Sequence, residues 1–132
     1  MKLRLICKSK IHHARVTGAD LHYIGSIGID RDLMDQTDLL PGEQVAIWNI
    51  NNGSRIETYA IPLPRGCGEI VVNGAAARHF HKGDVIIVAA FALTDEPITP
   101  RMIVVDERNR LLYELPEHDS SELNLEMLPS EG

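Results

Sequence analysis

Apolar and polar residues alternate with a period of two along much of this chain, the spacing of half-buried strands. Residues 2–7 and 26–30 alternate in this way, and a further short strand is expected over 14–17. Residues 44–50 and 55–61 are β-rich runs separated by Asn51-Asn52-Gly53-Ser54. Asn-Gly between two such runs is a strong short-range hairpin signal, because both residues accept a positive φ. Further strands are expected over 70–73 and 85–93, the latter a continuous apolar run typical of a buried strand. A last hairpin pairs 102–106 with 111–114 about Arg108-Asn109. Helix is expected only over 30–39, which is acidic at its start and closed by Pro41-Gly42, and as a turn over 74–80. Many short strands separated by turn signals predict a mainly β fold, a small closed barrel with short helices.

One internal echo refines that picture. Gly42-Glu43 and Gly83-Asp84 each precede an apolar strand, and they lie 41 residues apart. A glycine lets the backbone turn sharply, and the acid after it can accept nearby N–H groups. Two such turns suit a barrel built from two related halves.

Composition changes the picture in only one place. Of 132 residues 44% are hydrophobic and 24% charged, as in ordinary soluble domains. The net charge of −6 belongs to the end of the chain: residues 114–132 hold six acids and no Lys or Arg, leaving 13 acids and 13 bases before them. We therefore expect a body over 1–113 and an acidic, solvated tail over 114–132. A balanced body with 5% aromatics argues against nucleic acid as a partner. No apolar run is long enough to span a membrane, and two cysteines are too few for a disulfide framework, so a cytoplasmic location is expected.

Most candidate chemistry reads plainly. His12-His13 and His79-x-His81 lack the third and fourth ligands of a metal site, and Cys67 sits in a glycine-flanked loop expected to be exposed. Glycine-rich phosphate loops and nucleophile elbows are missing from the sequence. A Gly-Ser pair is uninformative alone, and the chain has two, Gly25-Ser26 and Gly53-Ser54.

Four separated segments give Gly25-Ser26 its meaning. These are Lys10-Ile11-His12, the run from Val16 to Gly25-Ser26, the run from Ile47 through Arg55 to Thr58-Tyr59, and Val72-Asn73-Gly74-Ala75-Ala76-Ala77. In order and spacing, over roughly residues 1–113, they resemble the bacterial aspartate 1-decarboxylases. The resemblance implies a double-psi β-barrel and a homotetramer with sites at subunit interfaces. It also implies an inactive precursor that cuts itself between Gly25 and Ser26, with or without a maturation factor. Ser26 would become a pyruvoyl group, the sole cofactor, in place of pyridoxal phosphate or a metal. That ketone accepts the electrons freed as L-aspartate loses its α-carboxylate and becomes β-alanine, a step toward pantothenate.

Roles for individual residues follow from the same resemblance. Thr58 would stabilise the oxyanion of the self-cleavage, Arg55 would hold the retained carboxylate, and Tyr59 would return a proton. Asn73, Gly74, Ala75 and Ala76 would form the loop against the substrate, Lys10 and His12 a basic wall, and Trp48 and Tyr23 nearby support. Ile24, Ser9, His13 and Cys67 depart from the family's usual residues. As i and i+4 of one strand, Arg55 and Tyr59 should share a face. Two other readings stand beside this one: a barrel that binds but never cleaves, and a pyruvoyl decarboxylase acting on another amino acid.

Overall fold

The computed structural model describes residues 1–115; the rest of the expected tail, 116–132, lies outside the described residues. Nine strands account for most of the fold: β1 Arg4–Arg15, β2 Gly18–Asp20, β3 Ser26–Asp30, β4 Gln44–Asn49, β5 Arg55–Leu63, β6 Ile70–Asn73, β7 Val85–Thr94, β8 Arg101–Val105 and β9 Leu111–Glu114. Among the described residues helix is confined to α1, Arg31–Gln36, and a 3₁₀ turn, Gly74–His79. The strands run in the order β2-β6-β3-β5-β4-β7-β1-β8-β9. Among the described residues no helix is long and apolar enough to cross a membrane.

Helix α1 is short for a local reason. Its N-cap, Asp30, accepts the Asp32 N–H at 2.9 Å, and the same carboxylate accepts the N–H groups of Gly66 and Gly68. After one and a half turns the Thr37 hydroxyl donates back to the Leu33 carbonyl, and Asp38 turns to positive φ. The pattern over 30–39 therefore holds a helix of six residues followed by a turn.

The Gly-acid echo marks a real two-fold relation. Gly42 donates to the Ala60 carbonyl at 2.7 Å, and the Ala60 N–H donates to that of Glu43. Gly83 and Val16 repeat this: Gly83 donates to the Val16 carbonyl at 2.7 Å, and Val16 donates to that of Asp84. The two acids accept from Leu40 N–H and His81 N–H respectively, each from three residues back. Strands β4 and β7 pair antiparallel with Ile47 opposite Val88, again 41 residues apart, so the local axis passes through that couple. It carries the couple Val45–Thr58 of β4 and β5 onto Ile86–Ala14 of β7 and β1. Each half also holds a parallel pair, β3 with β5 and β1 with β8. Parallel neighbours cannot be joined by a tight hairpin, so the chain crosses over once per half. This is the mainly β, double-psi barrel that was expected.

The core fills the space between the halves with Ile11, Ile27, Ile29, Ile47, Ile70, Ile86, Ile103, Val45, Val72, Val88 and Phe80, all essentially inaccessible. Each such side chain contributes about 1.5–3 kcal/mol relative to exposure. Strand β3 is buried at all five positions, since it lies between β5 and β6 with the core beneath it. What precedes it, residues 21–25, is exposed throughout.

Three expectations are corrected. Residues 2–7 and 14–17 do not form separate strands: Arg4–Arg15 is one strand, whose alternation is broken by irregularities between Cys7 and Ser9 and between Ile11 and Ala14. His13, at φ 64, lies in the second. The apolar run of β7 is buried only in its first part; Phe91 and Leu93 point outward beside Leu5 of β1. Cys67 is half-buried, and its sulfur accepts the Glu69 N–H at 3.4 Å.

Candidate active site

The exposed connection 21–25 and the buried strand β3 meet at the Gly25–Ser26 peptide. Ser26 is 1% exposed, so its hydroxyl must find partners inside the protein. It donates to the Ile24 carbonyl at 3.1 Å and accepts from the Asn73 side-chain amide at 3.1 Å. Asn73 can do this because β3 and β6 pair antiparallel with Ser26 directly opposite Asn73. A hydroxyl has one donor hydrogen and two lone pairs. One lone pair is thus left for chemistry.

Strand β5 flanks β3 on its other side. Ile27 lies level with Ala60 in the parallel β3–β5 pair. Thr58 and Tyr59 are the two residues that precede Ala60 on β5. Ile56, Thr58 and Ala60 are the better-covered residues of β5, whereas Arg55, Glu57 and Tyr59 are exposed. Arg55 and Tyr59 therefore share the outward face, as expected, and Thr58 lies on the other.

Arg55 opens onto a groove of about 660 Å3 along the outer face of β4, β5 and β7. Trp48 stands opposite Arg55 in the β4–β5 pair, and the guanidinium lies over its ring at 4.4 Å. Leu5, Phe91, Gln44 and Glu57 also line the groove, and the Gln44 amide donates to the Glu57 carboxylate at 2.8 Å. Stacking on Trp48 fixes the cation while leaving its N–H fork free of any hydrogen bond or ion pair among the described residues. Nothing in the pattern of the sequence pointed to Leu5, Phe91, Gln44 or Glu57. They meet only through strand register.

The chain brings some expected residues together and not others. Ser26 and Asn73 touch, Arg55 and Trp48 touch, and Gly74 packs on Gly25. Ala75 is exposed and Ala76 half-covered at the start of the 3₁₀ turn, and Tyr23 is exposed in the connection above. Lys10 and His12 lie on β1, three strands from β5 in the sheet order. His12 is buried there and stacks on His13 with ring centres 4.0 Å apart. Cys7, near Lys10, has its thiol pKa raised, chiefly by burial, with Lys10 opposing.

Comparison with known proteins finds the chain's relatives. The aspartate decarboxylase family model covers residues 1–112. The chain belongs to the aspartate decarboxylase family. It is 52% identical over 112 residues to a Moorella thermoacetica protein named aspartate 1-decarboxylase, covering 82% of this chain and 88% of that one. A Herminiimonas arsenicoxydans protein of the same name is 52% identical over 110 residues, 80% of this chain and 92% of that one. The structure of the rationally designed mkDPBB_sym_86 protein is similar at TM-score 0.47 and 12% identity, over 61% of this chain and 95% of that one. Ser26 opens β3 and Arg55 opens its neighbour β5.

Proposed function

We propose that this chain decarboxylates L-aspartate to β-alanine after cutting itself between Gly25 and Ser26. The observation that carries the reading is the Ser26 hydroxyl: buried, held by Ile24 and Asn73, and keeping one lone pair unused next to Gly25, an exposed residue. Attack by Oγ on the Gly25 carbonyl carbon forms a C–O bond and breaks the C–N bond, and the hydroxyl proton passes to the Ser26 nitrogen. The Thr58 hydroxyl is the donor proposed for the transient oxyanion, supported by its place on β5 two residues before Ala60, the partner of Ile27. Loss of the Ser26 α-proton then breaks the Cβ–O bond and frees Gly25 as a carboxylate. Water replaces the nitrogen, ammonia departs, and a pyruvoyl group remains at position 26.

The residues present suit such a group. Ser26 is anchored by the β3 ladder on its following side, a Cβ at Gly25 would meet nothing within 4 Å, and the Asn73 amide supplies a donor at the right place. When present, the pyruvoyl group supplies an electron-accepting carbonyl for loss of CO2. Arg55 would bind the carboxylate the substrate keeps; a strong ion pair on the departing one would stabilise the ground state instead. Tyr59, which immediately precedes the Ala60 that pairs with Ile27, would deliver a proton to the product carbon. The position of β1 in the sheet order supports a reading in which Lys10 and His12 serve a neighbouring subunit's site in a cytoplasmic homotetramer.

Intact mass under denaturing conditions tests the reading, alongside β-alanine formation from aspartate followed by NMR. Species of 25 and 107 residues with β-alanine production are expected. A single full-length species that never forms β-alanine overturns the proposal and leaves a barrel that only binds.

A further inference from the structure

The connection 21–25 passes over β6 as it links two strands that flank β6. Asp20 of β2 pairs with one edge of Asn73, and Ser26 of β3 pairs with its other edge. The connection must cross directly above the next residue, Gly74, which is buried at φ +76. A Cβ built on Gly74 would stand 2.6 Å from Gly25 Cα, 2.9 Å from Gly25 N and 3.3 Å from the Tyr23 carbonyl oxygen. Separations under 3.0 Å from backbone atoms cannot be absorbed by a side-chain rotation; the connection itself would have to rise. Of the other positive-φ glycines, Gly68 also faces backbone, the Arg108 carbonyl oxygen at 2.9 Å, whereas a Cβ on Gly42, Gly53 or Gly83 would meet nothing within 4 Å. At those positions glycine serves the backbone angle alone.

We propose that Gly74 is a positioning residue for the self-cleavage, a seat that sets the height of Gly25 against the Ser26 hydroxyl. The inference rests on the self-cleavage reading above. Two adjacent residues, the last of β6 and the first of the 3₁₀ turn, divide the task. Asn73 fixes the nucleophilic oxygen through its amide, and Gly74, by lacking a side chain, lets the Gly25 backbone settle beside it. Adding a Cβ lifts the electrophile while the nucleophile stays held. A misplacement of about 1 Å between reacting groups can cost on the order of 10²-fold in rate.

The test follows cleavage of freshly made precursor by intact mass, with folding read from the near-ultraviolet circular dichroism of Trp48. Gly74→Ala adds both backbone strain and the Cβ; Gly74→Asn keeps the Cβ but tolerates the positive φ. Gly53→Ala and Gly53→Asn carry the same changes of residue at a turn with open space. The expected result is folded Gly74 variants that cleave about 10²-fold more slowly, with both Gly53 variants cleaving at the wild-type rate. Should Gly74→Ala fail to fold, Gly74→Asn carries the comparison. Folded Gly74 variants that cleave normally overturn the proposal, including the case where they lose only aspartate turnover. A wild-type chain that never cleaves overturns the self-cleavage reading and this seat together, so the two failures are distinguishable.

Discussion

Asn73 and Ser26 are directly opposed residues of β6 and β3, and the Asn73 amide donates to the Ser26 hydroxyl at 3.1 Å. Both are buried, at 5% and 1% exposure, so water cannot easily replace either partner. The bond orients Oγ without consuming its last lone pair. Asn73→Ala should therefore slow formation of the 107-residue fragment at least tenfold. The stability cost should be only about 1 kcal/mol, because Ser26 keeps its bond to the Ile24 carbonyl. Cleavage time courses by mass and denaturant midpoints check the two halves of this expectation. Unchanged cleavage would remove Asn73 from the orienting role.

Arg55 gives a prediction of the opposite kind. It is exposed, its ring contact with Trp48 is worth about 0.5–1 kcal/mol, and the Ser26 hydroxyl is held by Ile24 and Asn73 instead. Arg55→Ala should cleave normally and stay folded, yet raise KM for aspartate by roughly 10²-fold as one charge-assisted carboxylate contact is lost. Arg55→Lys should recover only part, since an ammonium cannot reproduce the guanidinium fork. Steady-state kinetics on fully cleaved protein would measure this. A KM left unchanged by Arg55→Ala would place the carboxylate contact elsewhere.

The sequence made strands legible wherever local chemistry set their limits. Residues 26–30 and 70–73, the Asn-Gly hairpin and the Gly-acid turns needed only period, glycine and a capping acid. The continuity of β1 was hidden because an inserted residue at each irregularity shifts the apolar phase, which splits one strand into two patterns. Strand β2 was missed for another reason: three residues, mostly exposed, gain their order from β6 alone. In the site, resemblance named Ser26, Asn73, Arg55 and Tyr59, but the groove walls at Leu5 and Phe91 depend on the β1–β7 register, which no local pattern encodes.

Asp106 makes stability depend on acid. Its carboxylate accepts the N–H groups of Arg110 at 3.0 Å and Arg108 at 2.8 Å, and these bonds hold its pKa below the usual 3.8. A depressed folded pKa means the stabilisation is complete above the unfolded value and is lost as pH falls through the folded one. The urea midpoint should thus fall more steeply with acid, below about pH 5, in the wild type than in Asp106→Asn. Asp35, held down by Arg65 through hydrogen bonds, titrates alike in both proteins, so the difference isolates Asp106. Parallel curves would show that the turn is equally well formed with the carboxyl protonated.

Asn109 should be the costliest single residue of the same turn. It is 1% exposed and adopts φ 60, a conformation asparagine tolerates better than most residues. Its side-chain oxygen accepts the Arg15 N–H at 2.7 Å, while its amide donates to the carbonyls of Arg15 and Gly68, both at 2.9 Å. One side chain thereby joins the end of β1, the β8–β9 turn and the loop before β6. Asn109→Ala leaves three backbone groups without this partner and keeps an unfavourable φ. At about 1–3 kcal/mol for each buried group left unsatisfied, a loss of at least 3 kcal/mol is expected. Asn109→Gly should relieve the backbone strain but not the missing bonds, so it should regain no more than about 1 kcal/mol. Equilibrium unfolding of the three proteins separates these contributions. A loss below 1 kcal/mol in Asn109→Ala would mean that water reaches the orphaned groups and that the ends of the sheet are not held together by this residue.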